Sequence, residues 1–304
     1  MQIPDFRHGP ARKPHWLKVK VPQGERFNWI RNRAHGLNLH TVCEEARCPN
    51  IAECWQGGTA TFMLLGQLCT RGCRFCSVAT AREPGALDPA EPGNVAQTIR
   101  ELQLDYVVLT SVNRDDLPDQ GASHFAETVR LARQASPELL VEVLIPDFMG
   151  VMDCVRTVIE SGPVVIAHNL ETVRRLQSIV RDPRANYTQS LDVLSYVRRE
   201  APAIKTKSSL MLGFGESEGE LLEAMRDLRA IGVDFLTLGQ YLQPARGKLK
   251  VREFIFPERF KALEQAGLEM GFAYVAAGPL VRSSYRAAEF YIARALRTGA
   301  ATPA

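Results

Sequence analysis

From residue 59 onward the chain alternates two hydrophobic rhythms. Short runs of β-branched, aliphatic and aromatic residues predict strands at 60–66 (ATFMLLG), 105–111 (DYVVLTS), 140–145 (LVEVLI), 163–167 (PVVIA), 204–212 (IKTKSSLML), 233–239 (VDFLTLG) and 272–277 (FAYVAA). Between them, apolar residues at helical spacing predict helices over 94–103, 121–135, 150–161, 171–181, 188–200, 217–231 and 257–270. The segment 217–231 (SEGELLEAMRDLRAI) carries a serine cap, an early glutamate, and Leu221, Leu222, Met225 and Leu228 on one face. Strands separated by helices imply parallel βαβ units, hence an α/β fold with a doubly wound sheet or a closed or partial barrel. No internal repeat or low-complexity segment interrupts this order.

The polar residues sort themselves on that frame. Ser111, Asn113, Arg114, Asp115 and Asp116 follow one predicted strand, and His168, Asn169 and Glu171 follow another. Gly213, Phe214, Gly215 and Glu216 follow a third, and Gly239, Gln240 and Tyr241 end a fourth. In a parallel α/β fold these strand ends form one rim, where binding sites are built.

Composition narrows the class. With 304 residues, 45% apolar and 23% charged, the chain can bury a substantial core. The start, MQIPDFRHGPARKPHWLKVK, has no apolar run behind its charges, and no stretch reaches the roughly 18–20 apolar residues of a membrane span. The expectation is a cytoplasmic protein without membrane association. The net charge of +3 conceals a basic arm: residues 1–42 hold Arg7, Arg12, Lys13, Lys18, Lys20, Arg26, Arg31 and Arg33 against only Asp5 and Glu25. Such an arm either steers an acidic partner or is a solvated terminus. Dense basic clusters interleaved with aromatics are lacking, so nucleic acid is not expected as a partner.

The candidate chemistry lies in TVCEEARCPNIAECWQGGTATFMLLGQLCTRGCRFC, residues 41–76. Six of the seven cysteines fall here as two triplets, Cys43, Cys48, Cys54 and Cys69, Cys73, Cys76. In a reducing compartment, clustered cysteines are metal ligands or redox groups more often than disulfides. A structural zinc site needs four ligands, and no histidine stands near to complete either triplet. A cubane iron–sulfur cluster held by three cysteines leaves one iron open to a small molecule. The first triplet, C-x4-C-x5-C, cannot share one helical face and requires a looped wrap, which Pro49 and Asn50 permit. Cys154 sits in an amphipathic segment and reads as a buried, inert thiol. His168 has no partner histidine in a ligand pattern.

The order C-x3-C-x2-C, with Phe75 before the last cysteine, resembles the radical S-adenosylmethionine (SAM) enzymes. The wider pattern resembles the lipoyl synthase family within them. It includes both triplets, YVVLTSVNRDDLPDQGASHF, VEVLIPDF, AHNLETV, TKSSLMLGFGES, FLTLGQYLQP and AAGPLVRSSYRA, and covers residues 25 to 290. The resemblance implies a partial (β/α)6-type parallel barrel at 59–278. An N-terminal basic arm and auxiliary-cluster segment at 1–58 would precede it, and a C-terminal segment at 279–304 would follow. It implies two [4Fe–4S] clusters and SAM, with Cys69, Cys73 and Cys76 holding the SAM-binding cluster. Cys43, Cys48, Cys54 and a serine of Arg282-Ser283-Ser284-Tyr285, here assigned to Ser284, would hold an auxiliary cluster. The alternatives are that Cys154 completes that set and that the serines cap a helix over 285–297.

The implied activity is that of a sulfurtransferase. A SAM-derived radical takes hydrogen from the sixth and eighth carbons of a protein-bound octanoyl-lysine, and the auxiliary cluster supplies two sulfurs. Asn169 and Glu171 would hold SAM's ribose or amino group, Gly213 and Gly215 would let backbone approach SAM closely, and Glu216 would be a further cofactor contact. Arg114, with Asp115 and Asp116, would position SAM or substrate. Implied partners are an octanoylated lipoyl carrier domain (a 2-oxoacid dehydrogenase E2 or a glycine cleavage H protein), a flavodoxin or ferredoxin as electron donor, and an iron–sulfur cluster carrier. One loop departs from the family pattern: residues 243–251 read QPARGKLKV, where a hydroxyl and imidazoles are expected. A biotin-synthase-like enzyme would share only the second triplet, and a cluster-carrying electron-transfer protein would have complete four-ligand sites on a small scaffold.

Overall fold

A computed structural model describes residues 12–18, 25–37, 39–45, 48, 50–51 and 61–284. All seven strands expected from the hydrophobic pattern are present: β2 (Thr61–Leu64), β5 (Tyr106–Ser111), β6 (Leu140–Leu144), β7 (Val165–Ala167), β8 (Lys205–Leu212), β9 (Phe235–Gln240) and β10 (Tyr274–Gly278). They lie parallel in that order, with β1 (His40–Thr41) added antiparallel beside β2. Six strand–helix repeats are thus followed by a seventh strand. The described sheet runs from β1 to β10 without pairing its two edges, which makes the barrel partial. A separate parallel pair, β3 (Leu68–Cys69) and β4 (Ala79–Thr80), brackets the second cysteine triplet.

The helices Glu91–Leu102, Ala122–Ala135, Met152–Glu160, Tyr187–Glu200, Glu218–Ala230 and Pro257–Glu269 coat the outside of the sheet. Each buries an apolar stripe; Ala122–Ala135, for example, sinks Phe125, Val129 and Ala132. A fully buried side chain of this kind stabilises the fold by about 1.5–3 kcal/mol. Ser217 and Glu220 form the reciprocal cap of Glu218–Ala230. The expected helix at 171–181 is broken instead. Glu171 has φ +69° and pairs with β8, its N–H donating to Ser209 O and its carbonyl accepting from Met211 N. Only a 3-10 turn, Arg174–Leu176, and the short helix Gln177–Val180 follow. Backbone groups committed to the sheet cannot begin a helix.

Residues of alternate parity point inward. Low in the barrel, Tyr106 Oη donates to Glu142, and Lys207 Nζ donates to the same carboxylate at 2.8 and 3.1 Å. Side-chain exposure there is 1% for both Lys207 and Glu142, so the charges survive only as a pair. No helix of the described residues is long and apolar enough to cross a membrane.

Candidate active site

A cavity of about 650 Å³ opens inside the barrel at the C-terminal ends of the parallel strands. The loop after β2 contributes Cys69, Cys73 and Cys76, and the end of β5 contributes Ser111 and Asn113. The loop after β6 brings Asp147, the loop after β7 brings His168, Asn169 and Glu171, and β9 and its loop bring Gly239 to Pro244. Much of the rim anticipated from strand ends therefore forms one wall, without the residues that follow β8.

The cysteine loop is fixed from several directions. Thr70 N–H donates to Asn113 O at 3.0 Å, Gly72 N–H to Asp182 Oδ2 at 2.8 Å, and Arg74 N–H to Val180 O at 2.9 Å. The sulfurs accept hydrogen bonds as well. Cys69 Sγ receives Asn113 N–H at 3.3 Å and Arg71 N–H at 3.4 Å, and Cys73 Sγ receives Asp182 N–H at 3.3 Å. N–H donors on sulfur favour the thiolate, the form that binds iron. Burial works against them, pushing the Cys73 thiol up to about 12 and raising Cys76 and Cys48 too. The thiols therefore ionise only when a cationic group takes the proton's place.

The lining suits an iron–sulfur cluster with SAM. Cys76 lies close enough to Cys69 and Cys73 for their charges to interact. Among the described residues no three His, Cys, Asp or Glu side chains converge on a single metal ion. Two buried oxygens on the wall, Asn169 Oδ1 and Ser111 Oγ, have no hydrogen-bond partner of their own. A polar ligand in the cavity would satisfy both. Beside them the Glu171 carboxyl is raised by burial, with Arg181 and the Asn169 side chain drawing it back down. Its left-handed backbone is strained for a non-glycine residue, as at many functional sites.

A charged network that the sequence pattern did not signal supports this loop. Arg71 lies between the cysteines and is 3% exposed. Its guanidinium grips Asp115 with Nε at 2.8 Å and Nη2 at 3.0 Å, and donates through Nη1 to Asp147 at 2.8 Å. Burial alone would raise Asp147, but Arg71 holds it below the ordinary carboxylate range. Asp182 binds Arg184 and the Gly72 N–H and is also lowered despite its burial. The only sequence clue was that Asp115 and Asp147 follow strand ends.

His168 is a structural histidine. It bonds Ile145 O through Nδ1 at 2.9 Å and Ser190 Oγ through Nε2 at 3.0 Å, and burial depresses its pKa to about 4. Unfolded, it would titrate near 6.5, so between these values only the unfolded chain binds the proton. Its contribution is complete above about pH 6.5 and is lost as pH falls toward 4, with about 2 kcal/mol gone by pH 5. Anaerobic urea titrations at pH 7 and 5 should show this loss, and His168→Gln should remove that part of the pH dependence. An unchanged pH dependence in the variant would contradict the assignment.

The C-terminal segment enters the same cavity. Asn50 Nδ2 donates to Leu280 O at 2.7 Å, joining residues 230 positions apart. Arg282 is half-buried, and its charge acts on the Cys48 thiol. Ser283 and Ser284 line the cavity together with Cys48. Gly239 makes this approach possible, because a Cβ there would collide with the Val281 carbonyl. Lys13 of the basic arm also reaches the wall, whereas Arg33 pairs with Glu101 on the outer helix layer at 2.6 Å.

Four of the expected cofactor contacts are engaged with the protein's own groups. Gly213, Gly215, Glu216 and Arg114 do not line the cavity. Gly213, at φ +108°, leaves room for Gln240 Nε2 and the Glu253 carbonyl. Gly215 O accepts from Arg175, and the buried Glu216 carboxylate accepts from Gly213 and Phe214 N–H. Arg114 binds Asp116 at 2.8 Å and Gly85 O at 2.5 Å. Cys154 lies in the outer core, its thiol 3.4 Å from Asp119 O, as expected of an inert cysteine. Cys54, the Cys43 side chain and the helix anticipated at 285–297 lie outside the described residues.

Comparisons with known proteins agree with this geometry. Residues 63–228 match the radical SAM superfamily, and residues 6–48 match the N-terminal domain of lipoyl synthase of that family. A lipoyl synthase of Anaeromyxobacter sp. (strain Fw109-5) is 61% identical over 282 residues, covering 93% of this chain and 96% of that one. A mitochondrial lipoyl synthase of Homo sapiens is 56% identical over 286 residues, covering 92% and 77%. The crystal structure of a methylornithine synthase aligns with TM-score 0.51 at 14% identity over 91% of this chain and 94% of that one, a likeness of fold alone. Superfamily membership carries with it a [4Fe–4S] cluster and SAM. With a relative so similar along nearly its whole length, the chain belongs to the lipoyl synthase family of radical SAM enzymes.

Proposed function

We propose that this chain is a sulfurtransferase that inserts two sulfur atoms at the sixth and eighth carbons of a protein-bound octanoyl-lysine, giving the lipoyl group. One observation carries the reading: a single cavity is lined both by Cys69, Cys73 and Cys76 and by Cys48, Ser283 and Ser284. Cys69, Cys73 and Cys76 hold one [4Fe–4S] cluster. Cys43, Cys48, Cys54 and Ser284 hold a second, the sulfur donor. The contact between Asn50 and Leu280 supports this, since it brings the Cys48 segment to the serines. When bound, the first cluster and SAM supply a 5′-deoxyadenosyl radical able to take hydrogen from an unactivated carbon.

The chain's own residues bind, orient and exclude water. Asn169, Ser111 and Glu171 offer the polar groups that SAM's amino acid and ribose require. Met63, Val112, Leu144, Met211 and Leu242 supply apolar wall for an eight-carbon chain and keep water from the radical. Arg71, Asp115 and Asp147 hold the cysteine loop in register beneath them. The division into an auxiliary-cluster segment at 1–58, a barrel at 59–278 and a ligand-bearing segment at 279–304 follows from the same assignment. The substrate is an octanoylated carrier domain of a 2-oxoacid dehydrogenase E2 or a glycine cleavage H protein. A flavodoxin or ferredoxin supplies electrons, a cluster carrier rebuilds the spent cluster, and the work is done in the cytoplasm.

The test combines reconstituted protein, SAM, dithionite and an octanoyl-lysyl peptide, with mass spectrometry of the peptide. Two added sulfurs are expected. Cleavage of SAM with no sulfur added would refute the sulfur-insertion reading and leave only the superfamily.

A further inference from the structure

Loop 243–251 departs from the family pattern, and beyond Gln243 and Pro244 it does not line the cavity. Between Gln243 and Arg252 it carries Arg246, Lys248, Lys250 and Arg252 and no acidic residue. Arg246 and Lys250 are exposed, and neither lines the cavity. Together with Arg74, also exposed, they border a separate surface concavity of about 690 Å³. One contact places this basic face against the outer side of the second cysteine loop: Leu249 N–H donates to Arg74 O at 3.1 Å, and Arg74 stands between Cys73 and Cys76. A protein seated on this face would be separated from the cysteine ligands by one layer of loop.

We propose that this face, built from Arg74, Arg246, Lys248 and Lys250, docks an acidic one-electron donor protein that reduces the cluster held by Cys69, Cys73 and Cys76. The inference rests on the cluster assignment made above and adds where the electron enters. Each encounter passes one electron: the donor is oxidised by one unit and the cluster charge falls from 2+ to 1+. No bond forms or breaks, and no proton is needed. The concave cationic surface attracts an acidic partner over about 8 Å at physiological salt, chiefly by raising its association rate. The octanoyl-bearing carrier needs only the cavity mouth for its lysine arm, whereas a reductant benefits from the shortest path to the cluster.

The test reverses charge outside the cavity with R246E/K250E, using an acidic flavodoxin as the probe. Its dissociation constant should rise by about tenfold or more at low salt, and its rate of cluster reduction, followed by electron paramagnetic resonance, should fall in step and lose salt dependence. SAM cleavage driven by dithionite, which needs no docking, should be unchanged, as should the KM for an octanoylated carrier domain. Unchanged flavodoxin binding and reduction would overturn the proposal. A raised carrier KM with donor kinetics intact would also overturn it and assign the face to the carrier. Loss of dithionite-driven cleavage in the variant would overturn it too, by showing that the loop acts on the cluster itself. If the wild-type protein failed to cleave SAM with dithionite, the site assignment would fail separately, while the flavodoxin affinities would still report on docking.

Discussion

Replacing Cys48 by alanine is expected to abolish sulfur insertion while SAM cleavage at the Cys69, Cys73 and Cys76 cluster continues. On the proposed assignment the two functions share one cavity but draw on different ligands, so losing one cluster should not unseat the other. Removing a direct ligand should exceed the roughly 10–100-fold loss typical of an outer-shell partner, taking the product to background. A sharper form of the prediction uses a residue outside the proposed ligand set. Gly239 faces the Val281 carbonyl so closely that any Cβ must push segment 280–284 away. Gly239→Val should therefore reproduce the split, with sulfur insertion falling about 100-fold, as displacement of reacting groups by an ångström does. Two sulfurs still added by Cys48→Ala would refute the auxiliary-cluster assignment. Equal loss of SAM cleavage and sulfur insertion in Gly239→Val would mean that the glycine serves the barrel as a whole.

Arg71→Met is expected to destabilise the fold by about 3–5 kcal/mol, because it strips the cation from two buried carboxylates. Side-chain exposure is 8% for Asp115 and 0% for Asp147. Some compensation remains: Arg184 reaches Asp115 at 3.1 Å, and Arg181 stands 3.9 Å from Asp147. That favours the lower end of the range. Anaerobic urea unfolding measures it, and a double variant with Asp147→Asn should lose less than the sum of the two single changes. Stability within about 0.5 kcal/mol of wild type, as for an ordinary surface change, would mean that the network is dispensable. Arg71→Lys, which keeps the charge but not the bidentate fork, should fall between wild type and Arg71→Met.

The alternating apolar runs were enough to locate all seven parallel strands, because burial on both faces leaves no other use for residues such as VVL in β5 or FLTL in β9. The thiol triplets were legible for a similar reason: cysteines concentrated in one stretch of an otherwise cysteine-poor chain have few roles in a reducing cell. The failure at 171–181 came from the opposite situation. Its apolar spacing is helical, but Glu171 is bound into the β8 edge by long-range hydrogen bonds that local pattern does not contain.

The polar rim divides along the same line. Asn169 and Glu171 were placed by strand ends and do face the cavity, whereas Arg114, Gly213, Gly215 and Glu216 occupy equivalent positions and turn into the protein's own hydrogen bonds. A strand end says where a residue is, not which way its side chain turns. That is decided by neighbours such as Gly85 or Glu253, distant in sequence. Arg71, Asp147 and Asp182 were missed because a buried ion pair leaves no periodic trace; each partner looks like an ordinary surface charge until the fold removes the water. Taken alone, then, the sequence determined the barrel's strands and the family, both properties of local pattern and residue type. Only the tertiary structure decided that Ser284 meets Cys48 in one cavity, with Asn50 bonded to Leu280 beside it, and that a basic loop backs onto the second cysteine triplet, because contacts across hundreds of residues follow from packing.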